Sequence, residues 1–180
     1  MSCPKGAPIA GQGRAIPHSP RDLKMRRLAV ACLMLAPLLA QCSGDLAQVV
    51  PSDKVTTSSR DAGRAAELIS AYRRQHGLGP VRPDAILSDA AAHQARAVAE
   101  AGRLDHGDFG GRMSRFAIGG AAAENLSAGS DDVAGAIGRW KASPAHNDNL
   151  LMKEARRVGL ARADSPGYGY KHYWALVLAQ

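Results

Sequence analysis

The sequence predicts an α+β domain, because helical and strand periodicities occupy different parts of the chain. Apolar residues recur at three- and four-residue steps between residues 61 and 142. Residues 158–163 and 173–178 are strand-like runs on either side of a turn-forming segment, residues 165–169, which predicts an antiparallel hairpin. Helices first and strands last are typical of α+β domains.

The net charge of +7 lies mostly ahead of the predicted domain. Residues 1–42 carry +5, whereas residues 43–180 carry only +2. The predicted domain therefore lacks the single-sign field that attracts phosphate backbones, and we expect no nucleic acid as a partner. The 19 Gly and 10 Pro residues, together with 46% hydrophobic content, exclude a coiled coil, a collagen and a wholly disordered chain.

An export segment is predicted at residues 25–42. Met25-Arg26-Arg27 precedes an apolar run from Leu28 to Ala40, which is shorter than the roughly 20 residues that span a bilayer. A positive start followed by such a run is typical of a secretory signal, and it predicts an extracytoplasmic location. Residues 1–24 are rich in Pro and Gly, and they are either a misassigned start upstream of Met25 or a disordered extension.

Cys42 ends this segment within Leu39-Ala40-Gln41-Cys42, which resembles a bacterial lipobox except that Gln41 stands where a small residue is usual. Lipidation of Cys42 would tether the protein to a membrane face. The alternative is ordinary cleavage nearby, which gives a secreted or periplasmic protein. No Cys follows Cys42, so the domain has no disulfide and no thiol nucleophile. Residues 43–60 are expected to form a flexible tether, and residues 61–180 the folded domain.

The first helix is predicted from Asp61 to His76, with Ser58 or Ser59 as its cap and Gly77 at its end. Its apolar residues share one face. The residues expected on its solvated side are Arg64, Arg73 and Arg74.

A second helix is predicted from Asp89 to Ala101, capped by Ser88 and closed by Gly102. Its buried stripe of small side chains, which lets a neighbouring element approach closely, is Ala91, Ala95, Val98 and Ala99. The Gly-rich residues 104–116 predict a loop and a short helical piece.

Three further elements precede the hairpin: an extended segment at residues 121–126, a helix capped by Ser130 or Asp131 that ends near Ala142, and a short helix at residues 147–154. Trp140 lies on the apolar stripe of the longer helix, so we expect it in the core. Ser143-Pro144 is expected to break that helix.

Three scattered side chains are candidates for chemistry: His106 in the Gly-rich loop, Glu124 in an apolar run and His146 after Ser143-Pro144. A carboxylate among apolar neighbours is costly unless it is paired, hydrogen-bonded or metal-bound. Two imidazoles and a carboxylate that converge suit zinc or another divalent ion, with one position left for water. The spacing alone leaves open that the three residues are unrelated.

An ordered series of motifs resembles the CAP superfamily of cysteine-rich secretory, antigen and pathogenesis-related proteins, and most closely its bacterial secreted, SCP-like branch. The series is Glu124-Asn125-Leu126, then Trp140-x-x-Ser143-Pro144-x-His146-x-x-Asn149-Leu150-Leu151, then Val158-Gly159-Leu160, then Tyr173-Trp174. The resemblance covers residues 61–180. It implies an α-β-α sandwich with a small antiparallel sheet between helices.

The resemblance also implies a cleft with two His and two acidic residues, which binds zinc or another divalent ion in some members. His106 and His146 match the two cleft histidines. Glu124 matches the acid of the Gly-Glu-Asn-Leu motif, with Ala123 in place of the Gly. The second acid falls at Ser143, so strong metal binding is in doubt. The residues that could supply the missing acid are Asp105 and Asp108.

Four neighbouring residues are expected to support the cleft. Asn125 is expected to hydrogen-bond backbone, and Asn149 to brace the short helix. Arg112 could pair with an acid across the cleft. Ser143 is expected to be a helix terminator or a cleft hydroxyl, and the sequence places no base beside it.

Two functions fit these observations. The first is a non-enzymatic extracytoplasmic binding module whose partner is a lipid, an envelope component or a protein. The alternative is a metal-assisted hydrolase acting on an envelope or peptide substrate, with Glu124 as base. Fold resemblance alone does not choose between them.

Overall fold

A computed structural model describes residues 54–167 and 169–180. The predicted extension, the export segment, Cys42 and residues 43–53 of the predicted tether lie outside this range. The described end of that tether is structured, because Val55 is buried and residues 56–58 form a strand. The folded domain therefore begins before residue 61, which corrects the predicted boundary.

A five-stranded sheet forms the middle layer. Its strands are β1 (Thr56–Ser58), β2 (Arg82–Pro83), β3 (Ala122–Ala128), β4 (Arg157–Asp164) and β5 (His172–Ala179). The order is β1-β4-β5-β3 with antiparallel neighbours, and β2 pairs with β4 in parallel. The predicted hairpin is confirmed as β4 and β5, with Val158 opposite Leu178.

Five helices in the described residues complete the fold: α1 (Ala62–Gln75), α2 (Ala85–Ala101), α3 (Phe109–Arg115), α4 (Val133–Ala142) and α5 (Pro144–Leu150). One apolar core joins the sheet to α2 and α3, and a second joins it to α1 and α4. The predicted α+β class and α-β-α sandwich are therefore confirmed. Within the described part of the chain, no helix combines the length and apolar character needed to cross a membrane.

The central strand β5 carries apolar residues on both faces. Tyr173, Ala175 and Val177 enter the core under α2, whereas Trp174 and Leu176 enter the core under α1 and α4. Successive strand residues point to opposite faces, so a strand covered on both sides shows a continuous apolar run.

Gly159 on β4 lets α2 lie directly on the sheet. A Cβ atom at this position would come within 2.1 Å of the Leu87 carbonyl carbon and 2.2 Å of the Ser88 nitrogen. The predicted stripe of small side chains on α2 is buried, with Ala91 and Ala95 fully so. Close helix–sheet contact therefore depends on small residues on both surfaces.

Several helix ends differ from the prediction because side chains other than those expected cap them. Asp84 caps α2 by accepting a hydrogen bond from the Leu87 nitrogen at 3.0 Å, so the helix starts four residues before Asp89. Ser88 lies inside α2, where its hydroxyl donates to the Asp84 carbonyl at 2.8 Å.

The starts of three other helices, α1, α4 and α5, also differ from the prediction. Asp61, not a serine, precedes α1, and it makes no side-chain capping bond. Asp132 caps α4 through the Gly135 nitrogen at 2.7 Å. Pro144 occupies the first turn of α5, so this helix begins directly after Ser143 and ends at Leu150.

Arg73 is a further correction, because it is fully buried instead of solvated. Its guanidinium donates to four backbone carbonyls, those of Gly79, Leu150, Met152 and Ala155, at 2.8 to 3.1 Å. Burial, and secondarily the charge of Arg156, lower the Arg73 pKa from its usual value. Arg73 thus ties the end of α1 to the segment between α5 and β4.

Candidate functional site

The outer edge of β3 is closed by side chains from α4 and α5. The Trp140 indole Nε1 donates to the Leu126 carbonyl at 3.0 Å, and Asn149 Nδ2 donates to the Glu124 carbonyl at 3.2 Å. Because β3 is the last strand of the sheet, these carbonyls have no neighbouring strand to bond. Trp140 is 1% exposed, so its predicted core position is confirmed.

Asn125 is fully buried and connects β3 to α5. Its Nδ2 donates to the His146 carbonyl at 2.9 Å, and its Oδ1 accepts from Asn149 Nδ2 at 2.9 Å. Asn125 and Asn149 therefore fix the position of His146 relative to the strand. Both side chains bond protein groups in this arrangement.

Glu124 points to the opposite face of β3, toward α3 and the Gly-rich loop. Its side chain is 2% exposed. One carboxylate oxygen lies 2.8 Å from His106 Nδ1, and the other accepts from Arg112 Nη2 at 2.5 Å. Arg112, whose side chain is 5% exposed, also contacts the His106 carbonyl at 3.3 Å. Arg112 thus forms an ion pair with an acid, as the sequence indicated that it could.

His146, on α5, lies beside Ser143. Its Nδ1 is 3.0 Å from Ser143 Oγ. Burial lowers the His146 pKa below the usual value of 6.5, and the charge of His106 lowers it further. An imidazole therefore lies within hydrogen-bond distance of the Ser143 hydroxyl. Among the described residues, however, no carboxylate hydrogen-bonds to the His146 ring to orient it as in a catalytic triad.

The side chains present do not form a metal site in this arrangement. The described residues contain no group of three or more His, Cys, Asp or Glu side chains placed to hold an ion. Both Glu124 oxygens already have partners, and one partner is a cation. Asp105 pairs with Arg103, and Asp108 caps α3 through the Gly111 nitrogen.

A separate pocket of about 260 Å³ opens next to His146, between the outer edge of β3, the end of α4 and the turn before β5. Its polar lining residues are Ser127, Arg139, Ser143 and His146. Its apolar and aromatic lining residues are Leu104, Leu126, Ala128, Trp140 and Tyr170. Neither His106 nor Glu124 lines it, so the pocket and the Glu124 cluster are neighbouring features.

The motifs in the sequence do not include Ser127 or Arg139. The signal for Ser127 was its place two residues after Asn125, which puts both on one face of a strand. Arg139 precedes the buried Trp140, and this neighbour indicates that Arg139 lies beside the core-facing stripe. No sequence pattern indicates that Leu104 lines the pocket, because the position of a loop residue depends on tertiary contacts.

The sequence matches a known protein family, and the fold matches solved structures. The family model of the cysteine-rich secretory protein family, CAP, matches residues 66–178. No curated protein matches the sequence significantly.

Three solved structures illustrate the similarity of fold. An extracellular protein containing an SCP domain from Bacillus anthracis is 21% identical, with a TM-score of 0.58 over 67% of this chain and 40% of that one. A cysteine-rich secretory protein from Staphylococcus aureus is 20% identical, with a TM-score of 0.52 over 66% of this chain and 38% of that one.

An outer surface protein from Borrelia burgdorferi is 17% identical, with a TM-score of 0.60 over 68% of this chain and 95% of that one. The chain thus spans well under half of the first two structures and corresponds to nearly the whole of the third. Because the family model covers more than half of the sequence and the α-β-α sandwich agrees with it, this chain belongs to the CAP superfamily.

Proposed function

We propose that this protein is an extracytoplasmic, non-enzymatic binding module that recognises its ligand at the cleft of His106, Glu124 and His146. Its partner is a lipid, an envelope component or a protein. The observation that carries the proposal is that both carboxylate oxygens of Glu124 already have partners, Arg112 and His106. A buried carboxylate with both oxygens engaged organises neighbouring side chains and offers no free oxygen to a water or substrate.

The location rests on the export segment and on what the similar structures are. Residues 25–42 carry the pattern of a secretory signal, and Cys42 would provide a lipid anchor. The similar Bacillus and Borrelia proteins are described as extracellular and as an outer surface protein. Mass spectrometry of the mature N-terminus tests this part of the proposal: a chain that starts at Cys42 with acyl mass supports anchoring, and an intact Met1 or Met25 contradicts export.

The alternative, a metal-assisted hydrolase, requires a different arrangement of the cluster. An ion at Glu124 would have to displace the Arg112 guanidinium, which lies 2.5 Å from the carboxylate. Glu124 as a general base would also need a proton donor within hydrogen-bond reach, and its side chain is 2% exposed. The binding module requires neither rearrangement, so the geometry supports it better.

The experiment that tests binding uses the mature protein and separate lipid and protein fractions of the source envelope. His106 has a 52% exposed side chain, so His106→Gln alters the mouth of the cleft with little loss of buried surface. We expect saturable binding to one fraction, weakened in His106→Gln and unchanged in the control His76→Gln, whose position lies on the exposed end of α1. Absence of saturable binding to both fractions contradicts the proposal.

A further inference from the structure

The pocket beside His146 contains a buried hydroxyl without a partner. Ser127 is 6% exposed, and its Oγ makes no hydrogen bond with any group in the described part of the chain. A buried polar atom left unpaired destabilises the folded state, so such atoms are uncommon in native proteins. Ser127 is among the residues that line the pocket, where a bound ligand can provide the missing bond.

The same pocket has one permanently charged lining group, and it is a cation. Arg139 is exposed on α4 and has neither a hydrogen bond nor an ion pair with the residues that the structure describes. Among the residues that the structure describes, no acidic side chain lines the pocket. A guanidinium presents a planar fork of donors that fits a carboxylate in two parallel hydrogen bonds.

The remaining wall is apolar and aromatic. Tyr170 contributes exposed ring surface and Leu104 an exposed aliphatic side chain, and the almost fully buried Trp140 also lines the pocket. Tyr170 lies against Gly129, where a Cβ atom would be 2.9 Å from its ring, and Gly129 has a φ of +85°. Glycine at this position therefore lets the Tyr170 ring approach the end of β3.

We propose that this pocket binds a small organic anion, a carboxylate attached to an aromatic or similarly compact apolar group. The carboxylate pairs with Arg139 and accepts a hydrogen bond from Ser127 Oγ. The apolar group packs against Trp140, Tyr170 and Leu104. This assignment goes beyond the proposed function, because the pocket shares only His146 with the cleft of His106, Glu124 and His146.

The test compares 3-phenylpropionate with its neutral amide, 3-phenylpropionamide, by NMR titration of the mature protein. The chain has two Trp residues, so its indole N–H signals provide a probe and an internal reference. Trp140 lines the pocket, whereas Trp174 is fully buried elsewhere and donates to the Ser130 carbonyl at 2.8 Å. We expect the carboxylate to shift the Trp140 signal, to leave the Trp174 signal unchanged, and to bind about tenfold more tightly than the amide.

Two variants and one control assign the contacts. Arg139→Gln is expected to weaken carboxylate binding by about tenfold and to leave amide binding unchanged. Ser127→Ala is expected to weaken carboxylate binding to a smaller extent. Lys141→Gln removes a cation from the same helix outside the pocket, and it is expected to change neither affinity.

Three results would overturn the assignment: equal affinity for the two probes, unchanged carboxylate affinity in Arg139→Gln, or no shift of the Trp140 signal at millimolar concentrations of either probe. Failure here is distinguishable from failure of the proposed function. Equal affinity for the two probes in a wild-type protein that still binds an envelope fraction overturns the pocket assignment alone. Carboxylate binding without any envelope binding by the wild-type protein overturns the proposed function alone.

Discussion

Arg112 and Glu124 form a buried ion pair 2.5 Å long, with side chains that are 5% and 2% exposed. The pair joins α3 to β3 beneath the Gly-rich loop, and His106 completes it from the solvent side. Breaking a buried pair from one side leaves an uncompensated charge, which costs more than the pair contributes when it is intact.

Replacing Arg112 is therefore expected to destabilise the protein strongly. We predict that Arg112→Met lowers the free energy of unfolding by about 3–5 kcal/mol, because the Glu124 carboxylate is left buried without its cation. Urea denaturation followed by circular dichroism measures this change. Arg115→Met on the same helix is the control, since Arg115 is exposed, and a loss of about 0.5 kcal/mol or less is expected there. Equal losses in the two variants would contradict the buried-pair argument.

Metal content gives a second prediction about the same cluster. Divalent-metal binding, expected from the family resemblance, remains a prediction, and the guanidinium at Glu124 predicts that binding is weak. We expect less than one equivalent of zinc in protein dialysed against micromolar zinc and measured by atomic emission. The His106→Ala/His146→Ala double variant is the control. One full equivalent in the wild type and none in the double variant would show that Arg112 does yield to an ion.

The main features of the fold follow from periodicity, whereas the site depends on contacts that periodicity does not contain. The small residues of α2, the alternation along β4 and the apolar run of β5 directly indicate which faces are buried. Arg73 was placed in solvent because of its charge, although it follows the buried Ile69 by four residues and so shares its face. That prediction relied on the charge of the residue instead of its position on the helix. The carbonyls that accept the Arg73 hydrogen bonds lie up to 82 residues away in the sequence.

The same limit applies to the cleft. His106, Glu124 and His146 were identified as candidates, and the structure pairs His106 with Glu124. What spacing could not show is that Arg112 occupies the second oxygen of Glu124. It also could not show that His146 bonds Ser143, because this bond depends on the backbone geometry at the start of α5, which the predicted helix boundary placed elsewhere.

Acidification is expected to destabilise the protein partly through His146. Its pKa in the folded state is lowered by burial and by the charge of His106, from the usual value of 6.5. The unfolded state therefore binds more protons once the pH falls below about 6.5, so His146 favours unfolding increasingly until the pH passes its folded-state pKa. We predict that His146→Asn loses less stability than the wild type between about pH 7.5 and pH 5 in urea denaturation.

The matched control for this pH dependence is His76→Asn, at an exposed position, which is expected to follow the wild-type curve. His93 contributes in the same direction, because burial and the charges of Arg115 and Arg112 lower its pKa, so His146→Asn retains part of the loss. Parallel curves for the wild type and His146→Asn would contradict the assignment to His146.

The shape of the Arg73 guanidinium, and not only its charge, is expected to contribute to stability. Lysine keeps the charge but cannot reach four carbonyls with a single ammonium group, so Arg73→Lys leaves some of them unpaired. We predict a loss of about 3 kcal/mol in the free energy of unfolding. The control is Arg74→Lys at the exposed neighbouring position, with a change within about 0.5 kcal/mol. A loss at Arg73 no larger than at Arg74 would show that the charge alone suffices.

Two glycine-to-alanine substitutions are expected to have opposite signs. In Gly159→Ala the new methyl group would lie 2.1 Å from the Leu87 carbonyl carbon, so α2 must move off the sheet, and we predict a loss of about 3 kcal/mol. In Gly138→Ala, on α4, no atom lies within 4 Å of the new Cβ, so alanine is expected to stabilise the helix by about 0.5–1 kcal/mol. Both values follow from urea denaturation of the two variants beside the wild type. A neutral Gly159→Ala would contradict direct contact between α2 and β4, because only a gap between them leaves room for the methyl group.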